Sequence, residues 1–290
     1  MIAQLANTFK DSFTTIYNPS ITSYKWFKTN EEEVFGIKNT ICPQQLALLT
    51  QLFEPFQPAE TQAVLHTAQQ KWYNFLFNQS NDLPFEQQTV IRFYYIRSPQ
   101  PIDSLNIIEE AFNGIFEHTT FLMLHANEGL IIEEQAQPES PKLFIDALQS
   151  LTEDMLLAFQ STIGQIHQTD LQLPKQFNAE YQFFRNLSVD STQMVTAFHE
   201  AFIRSCPTTN LAPDLLSKPL REVLQQTETT QMITVFCRCN LNVSLAAKKL
   251  FVHRNSLQYR IERLFQLTGI DIRDFSQAMF LILAIQLIKN

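Results

Sequence analysis

The spacing of apolar residues changes several times along the chain. Between residues 24 and 38, YKWFKTNEEEVFGIK places apolar runs on either side of a polar centre, which predicts two short strands joined near Thr29, Asn30 and Glu31. The spacing then becomes helical. It predicts a helix over 43–53, opened by Pro43 and burying Leu46, Leu49 and Phe53, and another over about 59–78. TVIRFYYI (89–96) is β-branched and aromatic, hence a strand. A helix follows over 104–116, with Ser104 as its cap and Leu105, Ile108, Ala111, Phe112 and Ile115 on one face. TTFLMLHANEGLIIEE (119–134) reads as a hairpin turning around Ala126, Asn127, Glu128 and Gly129. Helices over 141–155 and 177–186 enclose a strand over 156–166. The order β-α-β-β-α-β-α predicts an antiparallel or mixed sheet with helices on one face. Residues 187–214 are polar and include Pro207 and Pro213, which suggests a connection, with helical spacing over 194–203. From Ser217 onward everything reads as helix.

These elements predict an α+β protein in four parts. They are a small α+β region over 1–80, a sheet domain over 81–190, a linker with a helix over 191–216, and an all-α domain over 217–290.

Composition narrows the chemistry. A chain of 290 residues holds a sizeable core and room for two or three domains. It has 25 Phe but only 5 Gly, so glycine-rich phosphate loops are largely excluded. The longest apolar run, 279–285, is far short of the roughly 20 residues of a membrane span. MIAQLANTFKDSFTTIY at the N-terminus lacks the pattern of a signal peptide, so a cytoplasmic protein with reduced cysteines is expected. Cys237 and Cys239 are spaced wrongly for a common zinc knuckle, and neither metal nor cofactor is expected.

Charge changes the picture most. The formal net charge is -8, yet 242–274 holds six cations against three acids. That segment carries +3 and the remainder -11, so a basic island sits on an acidic body and suggests a polyanion partner.

The island lies on two short helices. Asn242 or Ser244 caps the first, which turns Ala246, Ala247 and Leu250 inward. Small residues at 246 and 247 let a second helix cross closely. Phe251, Val252 and His253 form the turn, with Val252 as the buried plug. The second helix runs from about 254 to 267 with Leu257, Ile261 and Leu264 on one stripe. Asn255, Tyr259, Glu262 and Arg263 lie near the opposite face, flanked by Arg254, Ser256, Gln258 and Arg260. Asn and Gln match adenine edges, and Arg matches guanine or phosphate, the inventory of a helix that enters the major groove. A merely solvated helix face has the same periodicity, and spacing alone does not separate the two.

The run NVSLAAKKLFVHRNSLQYRIERLFQLTGIDIRDFSQAMFLILAIQL (242–287) resembles the C-terminal helix-turn-helix of the PucR/CdaR transcriptional regulators. The family pattern is Ala-Ala-x-x-Leu, then Val-His-Arg-Asn-Thr-Leu-x-Tyr-Arg, then Leu-Thr-Gly and a closing apolar helix. Here it is met by Ala246, Ala247, Leu250, Val252, His253, Arg254, Asn255, Leu257, Tyr259, Arg260, Leu267, Thr268 and Gly269, with Ser256 in place of Thr. The match is strong over about 50 residues. The family also commonly carries a degenerate GGDEF-like domain, and the element order over 81–190 is similar. Where a cyclase hairpin would carry Gly-Gly-Asp/Glu-Glu-Phe, this chain has His125, Ala126, Asn127, Glu128 and Gly129, which implies a non-catalytic scaffold.

The resemblance implies a sequence-specific regulator that binds double-stranded DNA, is not an enzyme, and forms a homodimer. A small-molecule effector of unknown identity is compatible with it, and so is a pocket among the N-terminal aromatics. Lys248, Lys249 and Arg254 would contact phosphates, while Asn255, Ser256, Gln258, Tyr259 and Arg263 would read or flank bases. His253 and Arg260 fit either a structural or a DNA-binding role. Gly269 would cap the recognition helix, and Asp274 with Gln277 would start the last one. Two alternatives compete: an architectural DNA-binding protein of low specificity, and a cyclase-type nucleotide enzyme.

Overall fold

The computed structural model describes residues 2–14, 24–29, 34–56, 67–77, 83–85, 89–98, 118–125, 127–135, 141–155, 160–187, 195–206 and 211–289. The helix expected over 104–116 lies outside them.

The two expected N-terminal strands are β2 (Tyr24–Lys28) and β3 (Val34–Lys38). With β1 (Phe13–Thr14) and β4 (Glu54–Pro55) they form an antiparallel sheet in the order β1-β3-β2-β4. Helices α1 (Ile2–Phe9) and α2 (Pro43–Leu52) accompany it, and Phe27, Phe35, Ile37 and Leu49 are its buried core. Leu46 and Phe53, expected inside, are only partly buried.

Helix α3 (Thr67–Phe77) follows in sequence but packs elsewhere. Its Trp72, Phe75 and Leu76 enter the core of the second sheet, and Trp72 Nε1 donates to Glu134 Oε1 at 3.2 Å.

The second sheet contains β5 (Val90–Arg97), β6 (Thr119–His125), β7 (Glu128–Gln135), β8 (Gln160–Gln168) and β9 (Val195–Ala197), in the order β6-β7-β5-β8-β9. All neighbours are antiparallel except β8 and β9. The sheet and the 119–134 hairpin agree with the pattern, but the expectation of helices on one face does not hold. Along β5, Ile91, Phe93 and Tyr95 face one core, and Tyr94 and Ile96 face another. Helix α4 (Lys142–Met155) covers the second face through Phe144 and Leu148. Helix α5 (Leu173–Arg185) covers the first through Phe177, Tyr181 and Phe184. A strand apolar at successive positions must be covered on both sides, and TVIRFYYI is such a strand.

The helical spacing over 194–203 is also split. Its β-branched start, Val195 and Thr196, joins the sheet parallel to β8, and α6 (Phe198–Ser205) begins only afterwards. A 3-10 turn (Pro213–Leu215) then leads to α7 (Lys218–Leu224), α8 (Thr227–Arg238), α9 (Val243–Lys249), α10 (Arg254–Thr268) and α11 (Phe275–Lys289). The architecture is therefore a mixed α+β body followed by a helical region. One apolar core runs through both, from Trp72 and Phe93 to Phe236, Leu257 and Leu281. Phe198 and Phe202 of α6 meet the Phe280 ring of α11 at centroid distances of 5.8 and 5.0 Å. Among the described residues, no helix is long and apolar enough to cross a membrane.

Candidate nucleic-acid interface

Helices α9 and α10 form the predicted pair, and local chemistry sets each end. Asn242 is the cap of α9: its Oδ1 accepts the Leu245 amide at 3.0 Å. Ala246 and Ala247 are buried at 0% and 3% exposure, so nothing bulky separates α9 from its partner. The turn passes through Phe251 at φ 55°, with Val252 packed against the core beneath it. His253 Nδ1 then accepts the Asn255 amide at 3.2 Å and caps α10.

Helix α10 buries Leu257, Ile261, Leu264 and Thr268, the apolar stripe extended by one turn. At its far end Gly269 adopts φ 69°, as the cap expected there requires, and its amide donates to Phe265 O at 2.7 Å. Helix α11 opens with half of the expected capping arrangement. Asp274 Oδ1 accepts the Gln277 amide at 2.9 Å, but Gln277 Oε1 reaches past it to the Asp271 amide at 2.8 Å.

Lys248, Lys249, Arg254, Asn255, Ser256, Gln258, Tyr259 and Arg263 are all exposed. Helical geometry gathers the α10 members on its outward faces, beginning at its N-terminal turn, and the two lysines end the helix before it. His253 is exposed while it caps, so its ring has a structural task whatever else it touches. Arg260 lies 3.9 Å from Glu228 of α8, with 46% and 86% of the two side chains exposed, a contact that contributes little. Glu262, the one acid on the outward face of α10, lies 3.9 Å from Arg273.

One surface feature was not foreseen. Phe251 is 96% exposed in the turn, Tyr259 is 67% exposed and Leu245 46%. A left-handed aromatic between two exposed cationic segments was legible as a turn residue but gave no signal of its exposure.

A polar seam fixes the helical region to the sheet. Glu180 of α5 is fully buried and accepts from Tyr95 Oη, the Gln165 amide and Gln165 Nε2, each at 3.1 Å. It also faces His167 Nε2 at 3.1 Å, while His167 Nδ1 faces Gln176 Oε1 at 3.1 Å. That oxygen is identified by the Lys218 amide, which donates to it at 3.1 Å. Both imidazole nitrogens thus face buried side-chain oxygens. Gln165 completes the link: its Nε2 donates to Leu215 O and its Oε1 accepts the Ser217 amide, both at 2.9 Å. The entry to α7 is therefore tied to β8 and α5 by buried hydrogen bonds.

A capped helix pair of this kind, with its polar face outward, defines a helix-turn-helix protein. Residues 229–287 match the family described as the PucR C-terminal helix-turn-helix domain, and the chain is a transcription regulator carrying that domain. The chain is 25% identical over 268 residues to "Uncharacterized protein YxkF" of Bacillus subtilis (strain 168), spanning 87% of this chain and 86% of that one. It is 38% identical over 55 residues to the carbohydrate diacid regulator of Escherichia coli (strain K12), covering 19% of this chain and 14% of the relative. Over 77 residues it is 32% identical to the proline-responsive transcriptional activator PutR of Bacillus subtilis (strain 168), covering 27% and 19%. The crystal structure of a regulator of polyketide synthase expression from Bifidobacterium adolescentis aligns with 77% of this chain and 92% of that one. The TM-score is 0.35 and the identity 18%, too low to inform function.

Proposed function

We propose that the chain is a sequence-specific DNA-binding regulator that acts as a homodimer in the cytoplasm and responds to a small molecule. The outward surface of α10 carries this reading. Asn255, Ser256, Gln258, Tyr259 and Arg263 present base-reading groups there, Lys248, Lys249 and Arg254 present charge for phosphates, and all are exposed. Along the chain the proposed parts are 1–80, 81–190, 191–216 and 217–290, with 217–290 as the DNA-binding part, while α3 of the first and β9 of the third pack with the sheet of the second. Dimerisation is supported by Phe275 and Met279, one turn apart on α11 and 74% and 37% exposed, since a helix apolar all round needs a second cover.

The non-enzymatic reading is supported at the hairpin that a cyclase would use. Glu128 is engaged there by Arg97 at 3.1 Å and by Tyr181 Oη at 3.0 Å. Selection of bound sequences from random duplexes tests the main reading. An enriched motif is expected, with affinity that falls steeply as salt rises. Equal retention of selected and random duplexes at one salt concentration would instead establish the architectural alternative.

A further inference from the structure

Phe251 stands in the turn between α9 and α10, and its ring lies outside the core. At 96% exposure it is the most exposed large apolar residue among those described. Its backbone is left-handed, at φ 55°, a conformation that glycine adopts freely and a β-carbon disfavours. Its amide donates to Lys248 O at 3.3 Å, so the main chain closes the turn without the ring. Val252, the next residue, supplies the apolar plug. Folding therefore gives the phenyl group almost no burial, and glycine would suit the turn's geometry better.

The chain on either side is cationic. Lys248 and Lys249 precede Phe251, Arg254 follows it, and all three are exposed. From 229 to 261 the sequence contains no Asp or Glu, although the chain has 29 of them. An exposed ring between cations suits a partner whose surface sets anionic groups beside apolar ones. Duplex DNA has such a surface: its phosphates flank deoxyribose edges, and thymine methyl groups project into the major groove.

We propose that the Phe251 ring packs on an apolar edge of the duplex, a deoxyribose or a thymine methyl group, and seats the start of α10 against it. The contact rests on the DNA-binding reading above and adds to it a residue that brings neither charge nor a side-chain hydrogen bond. The ring is buried only on binding, so its contribution is independent of counterion release, unlike that of the lysines.

The test uses the full chain and the duplex that it selects from random sequences. Phe251→Ala and Phe251→Gly should each bind that duplex about fivefold or more weakly, with an unchanged slope of log affinity against log salt. Both should keep the parent's melting temperature or slightly exceed it, because the ring is almost wholly exposed. Replacing thymines with uracil one at a time separates the two apolar sources. A position where the parent loses affinity and Phe251→Ala does not identifies the methyl group. Weaker binding by both variants without such a position identifies the sugar edge. Leu171→Ala removes another exposed apolar side chain, 65% exposed and outside the helical region, and should bind as the parent does. Equal affinity of the parent, Phe251→Ala and Phe251→Gly would overturn the contact and leave the DNA-binding reading standing. Weaker binding that tracks a lowered melting temperature would also overturn it, since the ring would then be structural. A parent that selects no duplex would defeat the DNA-binding reading itself, and the contact with it.

Discussion

Gly269, which ends α10, lies directly against Ile166 of the central sheet: a β-carbon on it would fall 2.7 Å from Ile166 Cγ1. Two demands meet at this residue, a left-handed backbone and an absent side chain. Gly269→Ala is expected to lose about 2–4 kcal/mol, from backbone strain and overpacking together. Gly269→Asn, which tolerates the left-handed conformation, should recover only the first part. Urea denaturation of the three proteins separates the two contributions.

The same seam contains a second sensitive pair. His167 and Glu180 are 1% and 0% exposed and 3.1 Å apart. Glu180→Ala strips a buried ring of its carboxylate and leaves Tyr95 and Gln165 donors unpaired, so a loss of about 3–5 kcal/mol is expected. Replacing both residues with leucine should cost less than the sum of the two single changes, because neither side chain is then left buried without the other. A double-mutant cycle by urea denaturation reads the difference directly.

The helix-turn-helix was readable in the sequence because its determinants are local. Its apolar stripe, the Asn242 cap and the Gly269 terminus each act within a few residues. The seam was not readable, because Gln165, His167, Gln176 and Glu180 become partners only after β8 and α5 pack under α7. Nor was the place of α3, whose Trp72 finds Glu134 far along the chain. Helical spacing over 194–203 misled because three residues of it complete a sheet edge, where tertiary pairing overrides local preference. Among the N-terminal aromatics, Phe27 and Phe35 are core residues of the first sheet.

Acid sensitivity follows from His125 at the hairpin end. Burial lowers its pKa from 6.5 to about 4, with Arg185 and Arg97 pushing the same way and Glu128 opposing. The unfolded chain takes up this proton more readily than the folded one, so stability is intact above about 6.5 and falls as pH drops towards 4. The loss over that interval should reach up to about 3 kcal/mol. His125→Gln removes this component, so its stability curve between pH 7 and 4.5 should be flatter than the parent's.

On the α9–α10 surface, the side chains proposed to read bases and those proposed to bind phosphates should separate by what their loss does to specificity. Gln258→Ala or Asn255→Ala is expected to cost about 1–3 kcal/mol on the selected duplex and to relax preference at one position, leaving affinity for random duplex almost unchanged. Lys248→Gln and Lys249→Gln should weaken all duplexes alike and each reduce the salt slope by about one. Arg260 discriminates between the two roles it was given. Its 3.9 Å approach to Glu228 is exposed, so as a brace alone Arg260→Gln should change stability by less than about 1 kcal/mol and leave the salt slope intact. A reduced slope with unchanged stability would instead place its guanidinium on a phosphate, making Arg260 the member of the cluster that extends the contact beyond the first turns of the helix.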